Sequence, residues 1–181
     1  NIYRGVGLSI GSVSSTQHNC VRNVIFRNIY AKQPIKLIYI KTGGFDGATK
    51  PMALVENITY RNITASHSEM YPIYIGPQQQ KEPDGTGDGY WPDINPFVTI
   101  RNISIINVWV DKSNSYPGVI RCNISNPCTD FFFSNITIKH HQHFLRRRNK
   151  YICSTQGSIY GISNQPTYPS LDNCGFNSRH N

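Results

Sequence analysis

Val55-Glu56-Asn57-Ile58-Thr59-Tyr60-Arg61-Asn62-Ile63-Thr64 reads as apolar, polar, Asn, then an apolar/polar alternation. Period-two patterning with β-branched and aromatic residues marks a strand with one buried face. Three other segments repeat it: Val21-Arg22-Asn23-Val24-Ile25-Phe26-Arg27-Asn28-Ile29, Val98-Thr99-Ile100-Arg101-Asn102-Ile103-Ser104-Ile105-Ile106-Asn107-Val108 and Phe132-Phe133-Ser134-Asn135-Ile136-Thr137-Ile138. The key asparagines, Asn23, Asn57, Asn102 and Asn135, lie 34, 45 and 33 residues apart. A strand unit recurring at that interval with a fixed Asn predicts a solenoid whose coils stack on one another. The Asn is expected at a turn inside each coil, its amide bonding backbone groups above and below.

Working outward, Ile35 to Lys41, Tyr71 to Ile75 and Val119 to Cys122 read as further strands between the repeats. The whole chain has a β composition, poor in helix formers and rich in Ile, Val, Thr, Tyr and Phe. Its 181 residues suit a single domain with a continuous core. Eighteen Lys and Arg against ten Asp and Glu give a net charge of +8, which favours an anionic partner, whether a polyanionic polysaccharide, a nucleic acid or an anionic surface. Composition alone does not choose among them. No apolar run approaches bilayer-spanning length. The sequence starts at Asn1 in mid-pattern, so an upstream segment is expected.

Five cysteines leave one over after any pairing. Cys122 and Cys128 flank a short loop and can bridge locally, while Cys153 and Cys174 can staple the C-terminal segment. Cys20 remains, and no CxxC pair suggests zinc. Asn57, Asn62, Asn102, Asn123 and Asn135 each begin an Asn-x-Ser/Thr sequon, in keeping with a secreted glycoprotein. The repeat itself also produces Asn-Ile-Thr, so only about half of these sites are expected to carry sugar, since acceptors must be exposed.

Two long connections, Gly43 to Pro51 and Gly76 to Pro96, are rich in turn residues, and the second ends near Tyr90-Trp91. Those aromatics can stack on sugar rings or cap the core. The basic run from Lys139 to Lys150 includes His140, His141 and His143; a solvated edge is its favoured reading over a polyanion grip or a metal site.

The remaining signal is Gly5-Val6-Gly7-Leu8-Ser9-Ile10-Gly11-Ser12, followed by Cys20-Val21-Arg22-Asn23-Val24 and then Tyr39-Ile40-Lys41-Thr42. Glycines at 5, 7 and 11 let the backbone pass close to a neighbouring coil or a ligand. In order and spacing these segments resemble the polygalacturonase-type glycoside hydrolases, family 28, whose hallmarks are Gly-His-Gly, a Ser-Ile-Gly-Ser strand, an Asn-Val strand and Arg-Ile-Lys. The resemblance runs along the whole chain but covers only the later part of the family's domain. It implies an all-β, right-handed parallel β-helix of the pectin-lyase type, incomplete at its N-terminus. Residues 1–181 would be the C-terminal part of that single domain, with 153–174 as a disulfide-closed segment. It also implies inverting hydrolysis of galacturonan, rhamnogalacturonan or substituted pectin, without cofactor or metal, by a secreted or wall-associated monomer with no nucleic-acid or membrane partner.

Inverting hydrolysis needs a carboxylic acid to protonate the leaving oxygen and an opposed carboxylate to activate water. The family draws them from Asn-Thr-Asp and Asp-Asp motifs that precede Gly-His-Gly, and no Asp or Glu of this chain stands in either context. The acid and base are therefore expected upstream of Asn1, and Cys20 is expected to pair with a cysteine there. Val6 stands where the family has histidine and Tyr39 where it has arginine, while Gly5, Gly7 and Lys41 match. Losing His removes a titratable partner of the acids, and losing Arg removes a bidentate carboxylate clamp. Lys41 would then meet an acidic sugar over a cleft floor of Gly5, Val6, Gly7 and Ser9, with Tyr39 stacking on a ring. The substitutions fit either altered specificity or a non-catalytic β-helix that binds acidic wall polysaccharide. A third reading, a structural solenoid or adhesin, rests on the repeats alone. Without its first coils the stack would present unpaired strand edges, and such a piece is expected to fold poorly.

Overall fold

The computed structural model describes residues 1–43, 52–78, 94–140, 150–153, 159–163 and 166–174. They form a parallel β-helix of two sheets, between which the chain passes back and forth. One sheet contains β1 (Ile2–Gly5), β3 (Cys20–Pro34), β5 (Ala53–Ala65), β7 (Val98–Ser113), β9 (Cys128–His140) and β11 (Ile159–Ser163), paired in that order, with β12 (Thr167–Tyr168) also on β9. The other contains β2 (Leu8–Val13), β4 (Ile38–Thr42), β6 (Ile73–Gln78), β8 (Gly118–Ile120) and β10 (Ile152–Cys153), again in stacking order. Every pairing is parallel. A 3₁₀ turn at Asp172–Cys174 is the sole helical element among the described residues.

The asparagine repeat shapes the long strands. In β5 the side chains of Ala53, Val55, Ile58, Tyr60, Ile63 and Ala65 enter the core. The two-residue alternation is stretched to three at Asn57 and again at Asn62, and both of these residues have φ near +55°. In this left-handed conformation one residue is added without losing the buried face, and Asn tolerates it better than other side chains. β7 repeats the device at Asn102 and Asn107, β3 at Asn23 and Asn28, and β9 at Asp130 and Asn135. Each long strand is thus a run of short strands bent at five-residue intervals.

The bends line up across coils. Asn57 Nδ2 donates to Asn23 Oδ1 at 3.0 Å, and Asn102 donates to Asn57. A second line runs from Asn135 to Asn107 (3.0 Å), from Asn107 to Asn62 (3.0 Å) and from Asn62 to Asn28 (3.1 Å). These amides are exposed, on the outside of the coil, and bond one another. The expectation of an inward turn amide bonded to backbone is corrected on both counts. The register differs too: Asn135 stacks on Asn107, whereas Asp130 falls opposite Asn102.

Within the coil, Phe26 stacks on Tyr60 with centroids 4.9 Å apart, and Phe131 packs with Phe133. Cys122 is bonded to Cys128, and Cys153 to Cys174, so the last described segment is tied back to β10. Cys20 is exposed and has no disulfide partner among the described residues. Asn123 lies inside the first disulfide loop, where its Oδ1 accepts from the Ser125 amide at 2.8 Å. Tyr90, Trp91, His141 and His143, singled out in the sequence, lie outside the described residues.

Two tests follow from these contacts. Asn62→Ala removes ladder bonds and places a Cβ-bearing residue without a compensating amide in the left-handed region, and should cost about 2 kcal/mol. Asn62→Gly removes the same bonds but adopts that backbone freely, so it should cost less. Equal denaturant midpoints for the two variants would show that the conformation contributes nothing. The second concerns Tyr60 and Tyr151, whose burial pushes both phenols well above the ordinary tyrosine value. Their folded pKa values are raised, so their contribution is intact below about pH 10 and is lost as the pH rises beyond it, where the unfolded chain ionises. The Tyr60 hydroxyl is buried and finds no hydrogen-bond partner among the described residues. Tyr60→Phe should therefore be neutral or stabilising at pH 7, and alkaline unfolding should become shallower by about one proton. Destabilisation at pH 7 would reveal a bond to that hydroxyl.

Candidate functional site

The outer face of the β2–β4–β6–β8–β10 sheet carries the residues that the sequence nominated. Leu8, Ile10, Ile38, Ile40, Ile73, Ile75 and Ile120 fill the coil interior, so the alternate positions face outward. Register places Ser9, Tyr39, Tyr74, Val119 and Ile152 in one row across the five strands. The next row holds Lys41 opposite Gly76, and the Arg121 amide donates to the Ile75 carbonyl at 3.0 Å, which sets Arg121 beyond Gly76.

Between its two ends, Ser9 and Ile152, the first row is closed. Tyr39 is only 3% exposed, and Tyr74 and Val119 are fully buried. Tyr71, Met70, Tyr116 and Ile152 cover them in a small apolar cluster of their own, separate from the coil interior. Tyr39 meets Tyr74 edge to face at 5.2 Å, and Tyr71 lies over Tyr116 at 6.4 Å. The Lys36 ammonium is sealed against both inner rings, 4.6 Å from the Tyr39 centroid and 5.1 Å from that of Tyr74. A cation held over aromatic faces away from water is worth about 2 kcal/mol. The expectation that Tyr39 offers its ring to a sugar is corrected: the ring serves Lys36 and its aromatic neighbours, contributed by other segments of the chain.

The second row is half-open and cationic. Lys41 and Arg121 are each partly exposed. No Asp or Glu occurs in these five strands, so the strands themselves supply no acid or base for bond cleavage.

The remaining nominated residues divide. Ser9 is exposed in β2, beside Tyr39 in register. Val6 is 46% exposed at the junction of β1 and β2. Gly7, at φ +88°, has no room for a side chain because a Cβ would overlap the Lys36 carbonyl oxygen. Its glycine therefore serves coil-to-coil packing. Gly5 ends β1 in the other sheet, and a Cβ there would meet nothing. Gly5 is thus no part of a common floor with Ser9. Of the sequons, Asn57, Asn62, Asn102 and Asn135 belong to the amide ladders. The ladder side also holds a shallow groove of about 260 Å³, lined by Asn23, Ile25, Asn57, Thr59 and Asn102.

Sequence reasoning missed Lys36 and Arg121. Neither falls in a motif, and only the parallel register brings Arg121 into line with Lys41.

With this geometry in hand, the profile of glycosyl hydrolases family 28 matches residues 1–155. The chain belongs to this family. A probable endopolygalacturonase D of Aspergillus niger is 32% identical over 136 residues, which cover 75% of this chain and 25% of that protein. A probable endopolygalacturonase D of Neosartorya fischeri is 33% identical over 136 residues, with 75% and 26% covered. Polygalacturonase 2 of Penicillium olsonii is 28% identical over 134 residues, with 74% and 32% covered. The chain thus spans roughly a quarter to a third of the length of these relatives. No solved structure matches it. Within this family 28 chain, Lys41 lies in a partly exposed row, and Tyr39, two residues before it, is a buried support for Lys36.

Gly76 is the test of how tightly that row is built. Its φ is +104°, and a Cβ would collide with the Arg121 carbonyl oxygen. Gly76→Ala should destabilise the fold by roughly 2 kcal/mol or more, from backbone strain and displacement of the next coil. An unchanged melting temperature would mean that the row tolerates a wider spacing.

Proposed function

We propose that this chain forms the later coils of a secreted pectin-degrading hydrolase that cleaves polygalacturonan with inversion. The supporting observation is the half-open cationic row over Lys41 on the outer face of the five-stranded sheet, in a chain of family 28. Lys41 holds a uronate carboxylate as a point charge. The acid and base come from a coil outside residues 1–181 that stacks on β2 and β3. The inward residues Val21, Val24, Phe26 and Ile29 of β3 are only partly buried, while their counterparts Val55, Ile58, Tyr60 and Ile63 in β5 are sealed. A further coil would complete that burial, and its cysteine would pair with Cys20. Disulfides and sequons fit passage through an oxidising compartment, with Asn123 outside the ladders as the sequon least constrained by stacking.

Val6 supports a second reading. An exposed apolar side chain replaces a titratable one beside the site, as fits a β-helix that binds acidic polysaccharide without cleaving it, or one that acts on a branched pectin such as rhamnogalacturonan.

Incubating the full-length protein with polygalacturonate and with rhamnogalacturonan separates these readings. The hydrolase reading predicts new reducing ends from polygalacturonate, first formed with the anomeric configuration opposite to that of the bond cleaved. Lys41→Ala should lower kcat/KM by roughly 10- to 100-fold, the worth of one charge-assisted contact. Retention of polygalacturonate without new reducing ends would favour the binding protein, and neither binding nor cleavage would defeat both.

A further inference from the structure

We propose that Arg121 is a second uronate-binding residue, supplying two coils beyond Lys41 the guanidinium contact that the buried Tyr39 position no longer makes. The proposal rests on the reading of this face as a polyuronate cleft. Ile120 points into the coil interior and Val119 outward, so the alternation returns Arg121 to the outer side. The backbone there is fixed twice. The Arg121 amide bonds the Ile75 carbonyl, and the next residue, Cys122, is bonded to Cys128. Gly76 lies opposite Lys41 in register and one residue past Ile75, whose carbonyl the Arg121 amide bonds, so the position between the two cations carries no side chain.

Two strand spacings put the Lys41 and Arg121 positions about 10 Å apart along the stacking axis. A polyuronate lying along that axis carries a carboxylate on every sugar, so one chain can meet both cations at different sugars. The two residues would read it differently. Lys41 is a point charge, whereas a guanidinium takes a carboxylate through two parallel bonds. The Arg121 Nε is buried, so its reach to a ligand is through the terminal nitrogens. A methyl-esterified sugar lacks the anionic acceptor, so Arg121 selects for free acid at its position. The aromatic cluster beneath, with Lys36 locked into it, forms a rigid wall beside this row.

The test measures binding of galacturonate oligomers of increasing length to the full-length protein, with methyl-esterified oligomers as the control. The variants are Arg121→Ala, Arg121→Lys and Lys41→Ala, with Arg121→Gln, which keeps most of the stem, in reserve if alanine does not fold. Affinity for the shortest oligomers that engage Lys41 should be unchanged in Arg121→Ala. The extra affinity of longer oligomers should fall about tenfold, and Arg121→Lys should restore part of it. Added salt and methyl esterification should abolish the same increment. An equal loss at every length, or no loss at any length while Lys41→Ala weakens binding, overturns the role of Arg121 and leaves the cleft standing. A wild-type protein that binds no oligomer overturns both.

Discussion

The structure depends on an asparagine held in the left-handed backbone region at the same place in successive coils. This conformation inserts one residue into a strand without turning its apolar side chains out of the core. It also points a short amide at the equivalent amide of the next coil. Conformation and ladder support each other: the bend puts the amides in line, and the amide bonds make the bend favourable for a residue with a Cβ. Where Asn is replaced by Asp130, the backbone bend persists, since Asp also tolerates that region.

A fixed register is what gives the outer face its meaning. Residues far apart in sequence, such as Lys41 and Arg121, become neighbours because each coil repeats the height and phase of the last. The same stacking buries Tyr39. Its cover comes from Lys36 in its own coil and from Tyr71 and Tyr116 in the following two. The face therefore has two strips of opposite character: a sealed aromatic strip that stiffens the sheet, and a half-open cationic strip that suits an acidic chain. Family 28 membership and the proposed cleft are consistent with that division.

Much of this was legible in the residues. The strand alternation and the recurring Asn pointed to the solenoid, and Cys122–Cys128 and Cys153–Cys174 were legible as possible bridges from their closeness in sequence. The second asparagine of each strand was harder to place. Asn102-Ile103-Ser104 and Asn107-Val108 look alike as text, and the first was matched to Asn135 although the second stacks on it. The turn amides were expected inside the coil and bonded to backbone, but stacked exposed amides satisfy one another across coils. The burial of Tyr39 was out of reach, because a strand's own pattern shows which side a residue faces and not what another coil lays over it. Arg121 carried no signal, since a lone cation after a three-residue strand acquires a role only through its neighbours in space.

The most direct measurement is a crystal structure of the full-length protein with a galacturonate oligomer bound. The account predicts an oligomer lying across β2, β4, β6 and β8 along the stacking axis, one carboxylate against Lys41 and another against Arg121, with the Tyr39 ring still covered. An oligomer seated instead in the groove over Asn23, Asn57 and Asn102, or one that displaces Tyr71 and Tyr116 to stack on Tyr39, would contradict it.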